Sequence, residues 1–347
     1  MKKALALVMV TCLAFSLVAC GGNTTSSSTP ASSTASSSSA GSSSTSTPAS
    51  TGTATGGLKT GMAVVSNTST TNADTDGAGK AQVDSTVAAV LVDSEGKIVD
   101  CKLDVAQNKV AVEADGTFAT DTTFKSKQEQ GDEYGMKAAS PIGKEWFEQA
   151  DAFAAAVVGK TADEVSGLVA GEADLAATCT MAVDDFIAAV VAAVNNAKEL
   201  GAQAGDTLGL GVTSEMSHSS VLPADNEGEG LAQVDTTYAA VTYNAEGTIS
   251  SSIIDSTQAK FTVSEEGAVA AKDAEIVSKQ EQGDNYSMKA ASPIGKEWFE
   301  QADAYAANLV GKTAADVAGL AGGEADLAAT CTISVDSFNE AVTRAMA

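Results

Sequence analysis

The alternation of apolar and polar positions predicts one small structural unit that occurs twice along the chain. In the first copy, β-rich runs at 86–92 and 97–103 flank the sequence Asp-Ser-Glu-Gly, which is typical of a β-hairpin with a short glycine-containing loop. A second turn at 114–116 extends this meander. Apolar residues then recur at helical spacing over 146–157, so a helix with one buried face is expected there.

Capping signals predict where the helices begin. Ser140 followed by Pro141 predicts an N-cap with proline at the first helical position. Thr161 and Glu164 form the capping-box pattern of a shorter helix, and a last amphipathic helix is expected from about 184 to 198. Each copy is therefore expected to be α+β, with an antiparallel sheet covered by helices on one side.

An internal duplication sets the domain organisation. The sequence of residues 136–152 recurs without change at 288–304. A single repetition of a long unit indicates two domains and not a solenoid. The predicted repeat domains are 58–200 and 201–347.

The chain begins with a segment that is typical of export. Two lysines precede an apolar run that is too short to cross a bilayer, so residues 1–19 are predicted to be a signal peptide. The run ends in Leu-Val-Ala-Cys, which resembles the lipobox of bacterial lipoproteins. That resemblance implies that Cys20 becomes the first residue of the mature protein. Its thiol would carry a diacylglycerol with palmitate-type acyl chains, which hold the protein on the extracytoplasmic face of the cell membrane. The alternative is an ordinary secretory cleavage site beside an incidental cysteine.

A low-complexity stretch follows the predicted lipid anchor. Residues 20–57 are mostly serine, threonine, alanine and glycine, a composition that buries too little apolar surface to offset the entropy of ordering. We therefore expect a disordered linker. A chain of this length reaches ~120 Å when fully extended.

Charge and residue usage exclude several functions. The formal net charge is −25, so nucleic acid is not an expected partner, because it is recognised by clustered lysine and arginine. His218 is the single histidine and no Cys-x-x-Cys motif occurs, which leaves almost no residues for a zinc site or for histidine-based catalysis. Cys101, Cys179 and Cys331 are expected to be buried free thiols, the alternative being a Cys101–Cys179 bridge in the first copy.

Each copy carries Asp-Leu-Ala-Ala-Thr-Cys-Thr before its last predicted helix, from Asp174 to Thr180 and from Asp326 to Thr332. This motif resembles the Asp-x-x-Ser/Thr-Gly-Ala-Thr sequence of extracytoplasmic FMN-binding domains, which include the flavin subunits of sodium-translocating quinone reductases. In that family the final threonine receives FMN as a phosphodiester from a flavin transferase. The resemblance implies covalent FMN on Thr180 and Thr332, with Asp174 and Asp326 in the same binding motif. Thr-Cys replaces the family's Gly-Ala in both copies.

Aromatic residues precede the long helix of each copy. Tyr134 and Tyr286 follow a polar loop and are candidates to contact the flat ring of a flavin. Trp146 and Trp298 are expected to be core residues. A purely structural alternative remains for the threonine motif, in which it ends a strand and leads into a helix capped by Asp184 or Asp336.

Two functions are consistent with these patterns. The first is a membrane-anchored electron carrier that is not itself an enzyme, with FMN as its cofactor and a flavin transferase and membrane redox proteins as its partners. The alternative is a non-catalytic ligand-binding or adhesion lipoprotein, in which duplicated domains increase avidity.

Overall fold

A computed structural model describes residues 57–169, 177–222, 228–320 and 329–347. All of them belong to one compact unit, Ser50–Ala347. The predicted signal peptide, Cys20 and nearly all of the predicted linker lie outside the described residues. The domain boundary predicted at residue 200 falls between the last helix of the first copy and the first strand of the second.

The first copy contains a three-stranded antiparallel sheet in the order β1-β2-β3. Its strands are β1 Lys59–Thr71, β2 Gly79–Val92 and β3 Ile98–Val112. The predicted hairpin between β2 and β3 is confirmed. Its turn is fixed by the Asp93 carboxylate, which accepts hydrogen bonds from the backbone N–H groups of Glu95 and Lys97, both at 2.9 Å.

The second copy repeats this sheet and adds a fourth strand. Its strands are β4 Thr207–Glu215, β5 Gly230–Tyr243, β6 Ile249–Val263 and β7 Val269–Ala271, paired in sequence order. Strand β7 pairs with the end of β6. The corresponding outer edge of β3 has no strand partner among the described residues.

Four α-helices of each copy are described. They are α1 Lys127–Gln130, α2 Trp146–Val157, α3 Ala162–Ser166 and α4 Asp184–Asn195 in the first copy, and α5 Lys279–Gln282, α6 Trp298–Leu309, α7 Ala314–Ala318 and α8 Asp336–Ala345 in the second. A 3-10 turn follows α1 at Gly131–Tyr134 and α5 at Gly283–Tyr286. None of the helices in the described ranges is long and apolar enough to cross a bilayer.

The predicted apolar stripe of α2 is confirmed, but the predicted start of this helix is wrong. All six stripe positions from Trp146 to Val157 are buried. The helix begins at Trp146 with Glu145 as N-cap, because the residues after Ser140 form turns in which Gly143 has a φ of +62°. A left-handed residue ends any helix that begins at Pro141. The capping box of Thr161 and Glu164 is present as predicted.

Successive side chains of β2 show how the layers stack. Ala88, Val90 and Val92 lie in a core cluster with α2 and α4, whereas Val87, Ala89 and Leu91 lie in a cluster with residues of β4 and β5. Since neighbouring side chains on a strand face opposite sides of the sheet, the two sheets pack face to face and each carries its helices on its outer face. The α+β fold is thus confirmed, with helices on one side of each sheet.

Glycines allow the helices to approach the first strand of each sheet closely. A methyl group at Gly211 of β4 would overlap the carbonyl oxygen of Ala341 in α8, and one at Gly61 of β1 would overlap that of Ala193 in α4. The last helix of each copy therefore packs directly on strand backbone.

Candidate functional site

The two candidate acceptor threonines are at the surface. Thr180 and Thr332 are exposed, and each directly follows a buried cysteine, Cys179 or Cys331. Each lies four residues before the last helix of its copy. The motif aspartates Asp174 and Asp326 lie outside the described residues.

A buried glutamine holds each threonine. The Thr180 backbone N–H and its Oγ1 hydroxyl both donate to Gln149 Oε1, at 2.9 and 3.1 Å. Gln149 is fully buried on α2, and its Nε2 donates to Ser140 Oγ at 3.1 Å and to the Lys144 carbonyl at 3.2 Å. The acceptor threonine is therefore tied to the loop before α2 through one amide.

The second copy reproduces this arrangement. The Thr332 N–H and hydroxyl donate to Gln301 Oε1 at 2.8 and 3.0 Å. Gln301 is also fully buried, and its Nε2 donates to Ser292 Oγ and to the Lys296 carbonyl, both at 3.1 Å. The two sites are equivalent in every one of these contacts.

The helices that follow the threonines start without side-chain caps. The N-cap residues of α4 and α8 are Val183 and Val335, whose side chains cannot accept a hydrogen bond from the first turn. The predicted N-cap positions of Asp184 and Asp336 are wrong by one residue, because both are the first residues inside their helices. The first backbone N–H groups of each helix therefore donate to no N-cap side chain.

A buried glutamate orders the loop before α2. The Glu145 carboxylate accepts hydrogen bonds from the backbone N–H groups of Met136 at 2.8 Å and Lys137 at 3.0 Å. Glu297 does the same for Met288 and Lys289, at the same distances. These bonds close the loop that Gln149 or Gln301 holds at its other end.

A lysine ammonium lies between two aromatic rings in each copy. Lys127 Nζ is 4.9 Å from the ring centre of Tyr134 and 5.3 Å from that of Trp146. Lys279 Nζ lies 5.0 Å from Tyr286 and 5.3 Å from Trp298. The ammonium groups therefore lie over the rings of both candidate tyrosines, each of which is half-buried.

The tryptophans are core residues, as predicted. Trp146 is 4% exposed and meets Phe186 of α4 edge to face, with ring centres 5.9 Å apart. Trp298 is 2% exposed and meets Phe338 in the same way at 5.7 Å. Their packing fixes α2 and α6 against the last helix of each copy, the helix that follows the threonine motif.

The second copy has a more buried lysine and additional charged neighbours. Burial lowers the pKa of Lys279, although Asp235 and Asp255 act to raise it. Burial, followed by the charge of Asp235, raises the pKa of Tyr286. Asp235 also contacts His218, with Oδ2 and Nδ1 2.8 Å apart.

A buried aspartate joins α1 or α5 to the neighbouring strand. Asp104 Oδ1 accepts hydrogen bonds from Val105 N at 2.7 Å and Gln128 N at 3.0 Å. Asp255 accepts equivalent bonds from Ser256 N and Gln280 N. Burial raises the pKa of both carboxyls to about 6, despite hydrogen bonds that act to lower it.

The three cysteines in the described part of the chain, Cys101, Cys179 and Cys331, are buried free thiols, as predicted. Burial raises the pKa of Cys101, and it also raises the pKa values of Cys179 and Cys331. Within the described ranges, no group of three or more histidine, cysteine, aspartate or glutamate side chains is placed to hold a metal ion.

A groove lies beside the end of β3 in the first copy. It has a volume of about 400 Å³. Its lining combines the unpaired edge of β3 with the segment that follows its turn, and consists of Lys109, Val110, Ala111, Glu113, Thr117, Phe118, Ala119 and Thr122. The groove is separate from the Gln149 contacts.

Comparison with known proteins gives one partial similarity. No protein-family model and no solved structure matches the chain. A curated relative, the chlorophenol reductase of Desulfitobacterium hafniense, is 37% identical over 93 residues, which cover 23% of this chain and 28% of the relative. The chain thus spans less than a third of that relative's length.

The structure brings together residues that sequence reasoning did not assign to a site. The sequence places Gln149 only within the buried stripe of α2 and gives Asp104 no role. It predicts Glu145 to be a solvated charge on a helix face, which is wrong because Glu145 is buried and accepts two backbone hydrogen bonds. The available signal for Gln149 is a polar residue within the apolar stripe, with Trp146 three residues before it and Phe153 four residues after it. A buried side-chain amide at such a position needs hydrogen-bond partners, so it is expected to join its helix to another segment of the chain.

Proposed function

We propose that the protein is a membrane-anchored extracytoplasmic lipoprotein that carries FMN as a phosphodiester on Thr180 and Thr332 for electron transfer. One observation carries this proposal: two exposed threonines occupy matching positions in the two copies, and the hydroxyl of each is held by a buried glutamine amide of its own copy. An exposed hydroxyl is accessible to a transferase, and its fixed position gives an attached cofactor a defined starting point.

The surroundings of each threonine fit an attached phosphate. The uncapped N–H groups at the start of α4 and α8 lie close in sequence to the threonines, and the positive end of a helix dipole favours a negative group. Asp184 and Asp185 occupy the first turn of α4 and oppose this attraction. A phosphodiester, with one negative charge, is therefore better suited to the site than a free phosphate monoester.

The attachment step is a phosphoryl-group transfer without oxidation or reduction. The threonine Oγ forms a bond to the phosphorus of an activated FMN such as FAD, the pyrophosphate P–O bond breaks, and AMP leaves. The hydroxyl proton passes to a base of the flavin transferase. Once bound, the flavin supplies the redox chemistry, and the protein supplies attachment, orientation and electrostatics.

The anchor and the partners complete the proposal. Diacylated Cys20 would hold the protein stably at the membrane, and residues 20–57 would allow it to reach membrane redox proteins. The curated relative's name, chlorophenol reductase, is consistent with a redox setting.

The mass of the mature protein from its native host tests the proposal. We expect an FMN-phosphodiester mass on the tryptic peptides that contain Thr180 and Thr332, and its loss from one peptide at a time in Thr180→Ala and Thr332→Ala. Unmodified threonines, in a host that flavinylates other proteins, would contradict covalent attachment.

The second candidate function, a non-catalytic binding lipoprotein, would use the groove beside β3 of the first copy, since β7 covers the corresponding edge in the second copy. A concave site of about 400 Å³ is within the size range of small-ligand pockets, as a non-catalytic binding lipoprotein requires. Visible absorbance separates the two functions: the flavin carrier is yellow when isolated from its host, whereas the binding protein is colourless.

A further inference from the structure

We propose that Gln149 and Gln301 are the positioning residues that make Thr180 and Thr332 competent to accept FMN. This inference rests on the proposed function, since it concerns the same acceptor hydroxyls. It adds a requirement that the threonine motif does not contain, because each glutamine lies 31 residues before its threonine.

The hydrogen-bonding capacity of each amide is fully used. Gln149 Oε1 accepts two hydrogen bonds from Thr180, and Nε2 donates one to Ser140 Oγ and one to the Lys144 carbonyl. A glutamine amide has two acceptor sites and two donors. The side chain has no further partner to gain by rotating, and its burial on α2 prevents it from reaching solvent.

This arrangement fixes the direction of the threonine hydroxyl. The O–H bond of Thr180 points inward to Gln149 Oε1, so the free lone pairs of Oγ1 point away from the buried amide. Thr180 itself is exposed, and those lone pairs are therefore available to an incoming phosphorus atom. Orientation of this kind contributes to rate without any acid–base role for the orienting group.

The glutamine does not take the proton. An amide oxygen is too weakly basic, so the O–H bond must turn away from Gln149 Oε1 and give its proton to a base of the transferase as the Oγ–P bond forms and AMP leaves. The hydrogen bond from the Thr180 backbone N–H to Gln149 Oε1 keeps the threonine in place during this turn. After the transfer, Oγ1 has no hydrogen to donate, but the Thr180 N–H still donates to Gln149 Oε1. The modified threonine is thus expected to keep its backbone position.

The duplication provides an internal control for the test. Gln149→Met has a similar length and removes all four hydrogen bonds. The full-length protein, expressed with its transferase, is digested, and the FMN-modified fraction is measured on the Thr180 and Thr332 peptides of the same sample. We expect a roughly 10- to 100-fold lower initial rate of modification at Thr180 and no change at Thr332. Gln301→Met should give the reverse.

A conservative variant separates positioning from a merely structural role. In Gln149→Glu, a buried un-ionised carboxyl retains an acceptor oxygen and one donor, so modification of Thr180 should be largely restored relative to Gln149→Met. Circular dichroism checks that each variant is folded. If Gln149→Met does not fold, the rate at Thr180 in Gln149→Glu decides, and loss of modification in that folded variant contradicts the inference.

The outcomes distinguish this inference from the proposed function. Absence of FMN from both threonines of the unaltered protein would contradict the proposed function. Normal modification of the unaltered protein, together with an unchanged rate at Thr180 in folded Gln149→Met, would overturn only the positioning role of glutamine.

Discussion

Asn108 of the first copy donates a hydrogen bond to Thr236 of the second, with Nδ2 and Oγ1 3.1 Å apart in the interior between the two sheets. The same Nδ2 donates to Ser214 Oγ at 2.9 Å. The other amide atom, Oδ1, has no hydrogen-bond partner among the described residues. The interface between the copies thus contains a polar contact as well as apolar packing.

Replacing Asn108 should weaken the contact between the copies. Asn108→Ala removes two hydrogen bonds and leaves a small cavity, so we expect the free energy of unfolding to fall by about 1–2 kcal/mol. The cost is moderate because Ser214 and Thr236 still bond to each other. Chemical denaturation measures it, with exposed Lys109→Ala as the control; a variant as stable as the original protein would contradict the expectation.

Close packing of α8 on β4 should not tolerate a methyl group at Gly211. The added carbon would overlap helix backbone, which cannot move aside as a flexible side chain can. We expect Gly211→Ala to lower the free energy of unfolding by about 3 kcal/mol or more. Gly77→Ala is the matched control, since nothing lies within 4 Å of the added carbon. Equal melting temperatures for the two variants would show that this packing is wrong.

The buried aspartates should make stability depend on pH. Burial raises the pKa of Asp104 and Asp255 from an ordinary value near 4 to about 6. Between those values the unfolded chain ionises these carboxyls and the folded protein does not, so their contribution to stability is lost as pH rises from about 4 to about 6. The loss is about 2–3 kcal/mol for each group.

The double variant Asp104→Asn, Asp255→Asn tests this directly. An amide keeps an acceptor oxygen for the backbone N–H groups but does not titrate. Urea denaturation at several pH values should therefore show a smaller fall in stability between pH ~4 and ~6 than in the unaltered protein. Parallel curves for the two proteins would rule out the raised pKa values.

The three described thiols should be unreactive in the folded protein. Cys101, Cys179 and Cys331 are buried, and burial raises their pKa values, so little thiolate is present at neutral pH. We expect iodoacetamide to label their peptides only after unfolding, as read by mass spectrometry. Rapid labelling of the Cys179 peptide under native conditions would show that the threonine motif opens in solution.

Much of the fold could be predicted because its signals are local. The stripe of α2, the hairpin turn at Asp93 and the capping box at Thr161 each depend on residues within one turn or a few turns of the chain. These signals were sufficient for the α+β class. They were insufficient for β1, whose second half is mostly threonine, serine and asparagine and lacks a clear apolar alternation.

The parts that could not be predicted depend on contacts between distant residues. The face-to-face packing of the sheets requires Val87 of one copy to meet residues of the other, and no local pattern specifies that partner. Ser140 is not the N-cap of α2 because the left-handed turn at Gly143 separates it from the helix. Its Oγ instead accepts a hydrogen bond from Gln149 Nε2, nine residues later. The candidate threonines could be found from a motif, whereas the contact between each threonine and its glutamine, 31 residues away, could be found only from the structure.

Face-to-face sheets place the two threonine motifs in different outer layers of the molecule. Thr180 belongs to the helical layer on one sheet and Thr332 to the helical layer on the other, with both sheets between them. A large partner that approaches one layer therefore meets one threonine at a time. Under the proposed function, duplication doubles the number of acceptor threonines on each chain, and a transferase must approach the molecule from two different sides to modify both.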